Sequence, residues 1–173
     1  MPNRDAGSPG AGQPLPPEEV VRFDAELALV LKRYPQDRKA SAILPALRIG
    51  QRIFGHLAPS VLELAALRLG ISPARAREVA TFYSMFKTEP TGRHLVEICT
   101  NVSCCLAGAD RLFEALQQKL KVGNGGTTAD GRCTLREVEC LASCGTAPAM
   151  LVDDEMIERL TLEKVERILG ELE

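Results

Sequence analysis

Two closely spaced pairs of cysteines place the strongest constraint on how this chain can fold. Four residues separate Cys99 from Cys104, three separate Cys140 from Cys144, and 35 residues lie between the pairs. Two thiolates on one short loop can bind a single metal ion, and two such loops together supply four sulfur ligands. A metal site shared by both pairs requires a fold that brings the two loops to one place. Such a ligand set suits a [2Fe–2S] cluster or a structural zinc ion.

The spacing within each pair favours the cluster over the alternatives. Zinc ribbons and fingers use two-residue spacers, which neither pair has. Thiol–disulfide exchange requires Cys-x-x-Cys at a helix start, and that spacing is also absent. Structural zinc, unrelated buried thiols and a disulfide framework stay open as alternatives. For a cluster, we expect Cys99 and Cys104 at one iron and Cys140 and Cys144 at the other.

The other two cysteines and the two histidines are given structural roles. Cys105 could replace its neighbour Cys104 by a one-residue slip, and Cys133 begins a predicted strand. Both are expected to be small apolar core residues. His56 is predicted to be exposed at a helix end, and His94 to lie in a strand.

The first residues are rich in proline and glycine, so residues 1–15 are predicted to form a disordered tail. This tail lacks the apolar region of a signal peptide, and no apolar run in the chain approaches 18 residues. We therefore expect neither export nor membrane insertion. Thiols or metal ligands in a reducing compartment are then expected rather than disulfides.

Residues 16–90 are predicted to form a helical bundle. Apolar residues recur at helical spacing in four segments, residues 18–33, 41–55, 59–69 and 73–86. Gly70 is expected to end the third helix in a left-handed conformation. Ser72 and Pro73 are typical of the start of a fourth helix, where a hydroxyl caps the backbone and proline has a helical φ.

Residues 91–173 change to a mixed pattern. Strands are predicted at residues 94–99 and 133–139, a hairpin at 149–152 and 155–159, and helices at 109–120 and after Thr161. The order β-α-β, then β-β-α, is that of a thioredoxin-like fold. Each cysteine pair follows a strand, where α/β folds commonly place their ligands. The predicted class is α+β, with the bundle preceding the thioredoxin-like domain.

The charge also divides near residue 93, although the chain as a whole carries a net charge of only −2. Residues 15–93 contain 12 Lys and Arg against 8 Asp and Glu, a net charge of +4. Residues 94–173 contain 8 against 14, a net charge of −6. This division supports two modules with different partner surfaces.

Three segments carry a resemblance to a known family: EVATFYSMF (residues 78–86), CTNVSCCLAGA (99–109) and VECLASCGTAPAM (138–150). They resemble the small iron–sulfur subunit, of E type, in NADH:quinone oxidoreductase (respiratory complex I). Related diaphorase subunits serve NAD-linked hydrogenases and NAD-dependent formate dehydrogenases. Residues 43–83 also resemble the N-terminal helical segment of this family. The resemblance therefore covers residues 34–160, and its cysteine spacing is highly specific.

The resemblance implies a helical bundle and a thioredoxin-like [2Fe–2S] ferredoxin domain, with Cys99, Cys104, Cys140 and Cys144 as cluster ligands. It implies an electron-transfer subunit of an NADH dehydrogenase, without a complete active site of its own. The partners implied are a subunit that binds FMN and NADH, and further iron–sulfur subunits. An equivalent diaphorase subunit is the alternative. The implied location is the cytoplasm, or the cytoplasmic face of the inner membrane.

Residues around the ligands lead to two further expectations. Ala142 stands where the family commonly has glycine, and a positive φ there would add strain of about 1 kcal/mol. Glu97 and Glu139 are expected to lower the reduction potential of the cluster, because further negative charge disfavours an added electron.

Residues 64–79 also scan as a helix-turn-helix with Arg75 and Arg77 on its second helix. With a cluster attached, this would indicate a redox-responsive regulator. The modest positive charge and the scarcity of base-reading side chains after Ser72 disfavour it, so we expect no nucleic-acid binding.

Gly123 and Gly125 follow a helix rather than a strand, unlike the dinucleotide fingerprint. NADH and FMN are therefore not expected to bind this chain.

Overall fold

The computed structural model describes residues 14–172, which form two compact units that divide between Pro90 and Thr91. Apart from its last two positions, the predicted tail lies outside the described residues. Leu15, the last of that segment, packs against the core of the first unit. Within residues 14–172, no helix is both long enough and apolar enough to cross a membrane.

The first unit consists of four helices and confirms the predicted bundle. They are α1 (Pro17–Leu31), α2 (Ile43–Phe54), α3 (Pro59–Leu69) and α4 (Pro73–Phe82). A 3-10 segment, Gln36–Ala42, joins α1 to α2 and was not predicted, because its polar sequence has no apolar periodicity. The core combines large side chains with alanines that let the helices approach closely: Phe23, Leu27, Ala46, Leu47, Val61, Leu62, Ala65 and Ala76.

The boundary between α3 and α4 follows the local signals. Gly70 ends α3 at φ +68°, and the Ser72 side chain accepts a hydrogen bond from the backbone N–H three residues later at 3.2 Å. Helix α4 ends at Phe82, earlier than its apolar pattern predicted. Tyr83 is 37% exposed, whereas Phe86 is buried after the helix has ended.

His56 corrects one prediction. It follows α2 but is only 4% exposed, and its Nδ1 has no hydrogen-bond partner among the described residues. Burial lowers the pKa of His56, which favours the neutral imidazole. His94 lies in a strand, as predicted.

The second unit contains a five-stranded sheet. Its elements are β1 (His94–Cys99), α5 (Val102–Leu106), α6 (Ala109–Leu120), β2 (Gly126–Thr127), β3 (Cys133–Val138), β4 (Met150–Val152), β5 (Glu155–Ile157) and α7 (Leu162–Glu171). The strand order is β2-β3-β1-β4-β5, with β1 and β3 parallel and the other neighbours antiparallel. The predicted order is confirmed, with α5 and the short β2 as additions.

Buried side chains of β1, β3 and β4 form one apolar cluster with α6 and α7: Val96, Ile98, Leu135, Met150, Phe113, Leu116, Val165 and Leu169. This packing holds the crossover helix α6 against the sheet, which allows β1 and β3 to run parallel. Parallel strands end at the same edge of a sheet. The loops that follow β1 and β3 therefore begin side by side.

Candidate metal centre

Both cysteine pairs lie at one edge of the sheet. Cys99 is the last residue of β1, and its partner in the parallel register is Val138, the last residue of β3. Cys140 follows two residues later. The backbone N–H of Thr100 donates to the carbonyl oxygen of Val138 at 3.0 Å, so the two loops are joined directly beyond the sheet.

The first loop folds into the short helix α5 and buries its two predicted ligands. The Asn101 side chain caps the helix by accepting the next backbone N–H at 2.9 Å. Cys99 and Cys104 are 3% and 2% exposed. The Cys105 thiol instead donates to the carbonyl oxygen of Thr100 at 3.1 Å. The sulfur of Cys105 is therefore held by the backbone of this loop.

The second loop leaves its cysteines open to solvent. Cys140 and Cys144 are both exposed, and Cys144 begins a 3-10 turn that ends at Thr146. The backbone N–H of Ala142 donates to the sulfur of Cys140 at 3.3 Å. An N–H group directed at a sulfur stabilises negative charge there, which is what a thiolate ligand requires.

The four side chains approach one another. Cys99 forms side-chain hydrogen bonds with Cys104 and with Cys140, so its sulfur connects the two loops. Cys104 also interacts electrostatically with Cys144. The structure thus brings together all four cysteines that the sequence singled out as ligands.

Hydrogen bonding shifts the pKa values of the two buried cysteines, Cys99 and Cys104, in opposite directions. Burial raises the pKa of Cys99, but the backbone N–H groups of Asn101 and Leu141 and the neighbouring thiols outweigh it, so the net pKa is lowered. Burial raises the pKa of Cys104, and its hydrogen bond to Cys99 raises it further. The contact between these two side chains thus lowers the pKa of Cys99 and raises the pKa of Cys104.

The other two cysteines lie in different surroundings. Cys133 is fully buried in β3, as predicted for a small core residue. Cys105 is half-buried and hydrogen-bonded to the backbone, so the prediction of an apolar core position is wrong for it. All six cysteines are free of disulfides.

The donor set fits an iron–sulfur cluster. Within residues 14–172, no three His, Cys, Asp or Glu side chains surround a single ion position. A [2Fe–2S] cluster takes two thiolates at each iron and does not require such a group. Four free thiols from two adjoining loops, with N–H groups directed at their sulfurs, supply the soft anionic donors that the cluster needs.

The two carboxylates predicted to act on the cluster differ in their surroundings. Glu97 is 7% exposed and accepts a hydrogen bond from Arg136 Nε at 2.7 Å, from the facing register position of β3. Glu139 is exposed beside Cys140. Because Arg136 offsets the charge of Glu97, the expected lowering of the potential rests mainly on Glu139. Arg136 was missed from the sequence because only the strand register brings it to Glu97.

Ala142 adopts the left-handed conformation, with φ +57°. This conformation costs a residue with a β-carbon about 1 kcal/mol relative to glycine. We expect Ala142→Gly to raise the free energy of unfolding of the metal-free protein by up to about 1 kcal/mol, less the entropy that glycine adds to the unfolded chain. Urea denaturation measures this change.

Ala107→Gly is the matched control for this substitution, since Ala107 is exposed in the neighbouring loop at φ −87°. With no strain to relieve, it is expected to destabilise the protein by about 0.5–1 kcal/mol. Equal destabilisation by both substitutions would contradict strain at Ala142.

Known proteins resemble the chain over most of its length. The family model described as thioredoxin-like [2Fe-2S] ferredoxin matches residues 27–173. The E-type subunit of NADH-quinone oxidoreductase from Mycobacterium tuberculosis H37Rv is 37% identical over 163 residues, which cover 94% of this chain and 64% of the relative. The chain thus spans less than two thirds of that relative. A second E-type subunit of this oxidoreductase, from Rhizobium meliloti, is 43% identical over 144 residues, covering 83% of this chain and 84% of the relative.

Solved structures share the fold. Crystal structures of an NAD+-reducing [NiFe]-hydrogenase, air-oxidized and H2-reduced, match with TM-scores of 0.66 and 0.68 at 23% and 24% identity. The matches cover 76% and 78% of this chain and 22% of the hydrogenase chain. At this identity they bear on the fold alone, and they agree with the α+β architecture described above.

The resemblance found in the cysteine motifs is therefore confirmed by a family match that includes both cysteine pairs and by relatives that align with most of the chain. With the parallel β1 and β3 strands and the four converging thiols, the chain belongs to the thioredoxin-like [2Fe–2S] ferredoxin family.

Proposed function

We propose that this chain is an electron-transfer subunit of an NADH-oxidising complex and binds one [2Fe–2S] cluster through Cys99, Cys104, Cys140 and Cys144. The convergence of these four free thiols at one sheet edge carries the proposal. When bound, such a cluster takes up and gives back single electrons. The relatives from NADH-quinone oxidoreductase support NADH as the source of the electrons.

The two cysteine loops would have different roles in the site. Burial of Cys99 and Cys104 keeps water away from one side of the site. Exposure of Cys140 and Cys144 leaves the other side open to a redox partner. The N–H groups directed at Cys99 and Cys140 would stabilise the negative charge of the ligands and raise the reduction potential.

FMN and NADH would bind a partner subunit, because the sequence has no nucleotide-binding fingerprint. Further iron–sulfur subunits of the same arm would receive the electrons, at the cytoplasmic face of the inner membrane. The fold shared with the NAD+-reducing hydrogenase favours an equivalent diaphorase subunit as the second candidate.

The helix-turn-helix regulator is not supported by the charges on α3 and α4. Arg75 pairs with Glu78 at 2.8 Å, and Arg68 pairs with Asp24 at 2.7 Å. These carboxylates offset basic side chains that a phosphate backbone would need. We therefore do not propose nucleic acid as a partner.

An apolar surface beside the ligands would contact the NADH-binding partner. Val102 and Leu106, on α5, are 70% and 87% exposed. We expect the double substitution Val102→Ser and Leu106→Ser to leave the cluster bound and to weaken partner binding about tenfold or more, because exposed apolar side chains of this size contribute chiefly when a partner covers them. Calorimetric titration with the NADH-binding subunit measures the change in Kd.

Val21→Ser is the matched control for that experiment, since Val21 is 68% exposed on α1. Its Kd is expected to equal that of the unchanged protein. An unaltered Kd for the double variant would rule out α5 as the contact.

The proposed function is tested by EPR of the anaerobically purified, dithionite-reduced protein, with iron, sulfide and zinc assayed on the same sample. A rhombic S = 1/2 signal with about two irons and two sulfides per chain is expected. One zinc with no iron would overturn the cluster. Reduction by NADH only when the NADH-binding subunit is present would support the electron route, and no reduction in that mixture would contradict it.

A further inference from the structure

One carboxylate oxygen is shared by the two hydroxyl groups that flank Cys144. Ser143 precedes this cysteine and Thr146 follows it by two residues. Ser143 Oγ and Thr146 Oγ1 each lie 2.6 Å from Glu158 Oε1, and 2.6 Å from one another. Hydrogen bonds donated to an ionised carboxylate are about twice as strong as neutral ones. The bonds from Ser143 and Thr146 lower the pKa of Glu158.

The backbone after β5 strengthens this attachment. The N–H of Arg159 donates to the carbonyl oxygen of Thr146 at 2.8 Å, and the N–H of Leu160 donates to the carbonyl oxygen of Pro148 at 3.0 Å. The segment that carries Glu158 therefore runs along the end of the second ligand loop. Its side chain and its backbone act on the same few residues.

Helix α7 also contacts Glu158. The ammonium group of Lys164 donates to the carbonyl oxygen of Glu158 at 2.6 Å. Helix α7 is anchored in the apolar core of the unit by Val165 and Leu169. A continuous series of contacts thus leads from that core through Glu158 to the residues on either side of Cys144.

The second loop needs such an attachment more than the first. Cys99 and Cys104 are buried in the core cluster, where packing fixes their positions. Cys140 and Cys144 are exposed and have no comparable packing. The position of Cys144 therefore depends on hydrogen bonds made by its neighbours in the loop.

We propose that Glu158 is a positioning residue for Cys144: its carboxylate holds Ser143 and Thr146 so that the exposed ligand pair is oriented before a metal binds. This inference rests on the proposed function, since it assigns the ligand role to Cys144. Glu158 acts on Cys144 through the two hydroxyl groups to which it is hydrogen-bonded.

The test compares Glu158→Ala and Glu158→Gln with the unchanged protein. In the metal-free protein, Glu158→Ala is expected to increase the hydrogen-exchange rates of the amides of Thr146 and Arg159 about tenfold. These amides donate to the carbonyl oxygens of Ser143 and Thr146, and the substitution removes the hydrogen bonds that hold those two residues to a charged group. The amide of Val96, in the core of β1, is expected to exchange as before. Glu158→Gln keeps an acceptor oxygen and is expected to restore most of the protection.

A second readout uses the loaded protein. Glu158→Ala is expected to broaden the EPR signal and to shorten the half-life of the cluster in the presence of a chelator about tenfold. Glu155→Ala is the matched control, as Glu155 is an exposed glutamate on β5. Its EPR signal and cluster half-life are expected to match those of the unchanged protein.

A double-mutant cycle with Ser143→Ala tests whether Glu158 acts through its hydrogen bond with Ser143. If Ser143 and Glu158 act together, the double variant loses the cluster hardly faster than Glu158→Ala alone. Independent, multiplying effects would overturn the inference, as would unchanged exchange rates and an unchanged signal in Glu158→Ala. If the protein without substitutions contains no iron after anaerobic purification, the proposed function is overturned instead. The role of Glu158 in cluster binding is then overturned with it.

Discussion

Cys140→Ala is expected to abolish the EPR signal of the dithionite-reduced protein and to lower its iron content from about two per chain to near zero. Cys140 is exposed, so its removal leaves no cavity in the core and should spare the fold. The loss of one thiolate leaves an iron without its second protein ligand, and such a cluster is readily lost. Iron and sulfide assays on the purified variant measure the effect.

Cys133→Ala is the matched control. Cys133 begins β3 and pairs with His94, whereas the ligand loops follow the opposite ends of these strands. The five-residue offset corresponds to about 16 Å along a strand. This variant is expected to keep its iron and its EPR signal, and loss of both would contradict the assignment of the ligands.

Cys104→Ala is expected to lose the cluster as completely as Cys140→Ala. The thiol of Cys105 is held by the carbonyl oxygen of Thr100 at 3.1 Å and would have to leave that contact to take over. Retention of iron in Cys104→Ala, but not in the variant that also carries Cys105→Ala, would show that the one-residue slip occurs.

Leu27→Ala is expected to lower the free energy of unfolding by about 2–5 kcal/mol, the range found when a buried leucine is truncated. Leu27 is 2% exposed and belongs to the core of the helical bundle. The missing side chain leaves a cavity that packed helices fill only in part. Urea denaturation followed by circular dichroism measures the loss.

Leu29→Ala provides the control on the same helix. Leu29 lies two residues along α1 and is 62% exposed, so the same substitution is expected to change stability by no more than about 0.5 kcal/mol. Similar losses for both variants would contradict the orientation of α1.

The parts of the fold that follow from local chemistry could be predicted. Gly70 and Ser72 mark a helix end and a helix start through their own conformation and hydrogen bonding, and both act as expected. Helix α5 escaped prediction because five residues are too few for a periodic pattern. Strand β2 has only two residues and forms because it pairs with β3. Such pairing leaves no pattern in the local sequence. His56 is buried despite its polarity, because the surrounding chain encloses it.

The candidate site shows the same division. The spacing of the cysteines was enough to select the four thiols that the structure brings together. The role of Ala142 could be stated only as a condition, and its φ of +57° meets that condition. Arg136 lies 39 residues from Glu97, and Glu158 lies 15 residues from Ser143. Contacts at such separations depend on strand register and loop path, which single residues do not reveal.

The unequal burial of the two cysteine pairs gives the site a vulnerable side. Dissolved oxidants reach exposed cysteines more readily than buried ones, so Cys140 and Cys144 are open to oxidation while Cys99 and Cys104 are shielded by the core. A partner that covers Cys140 and Cys144 would then protect both side chains from oxygen. In the complex proposed above, assembly and resistance to oxidation in air would thus depend on the same exposed surface of the chain.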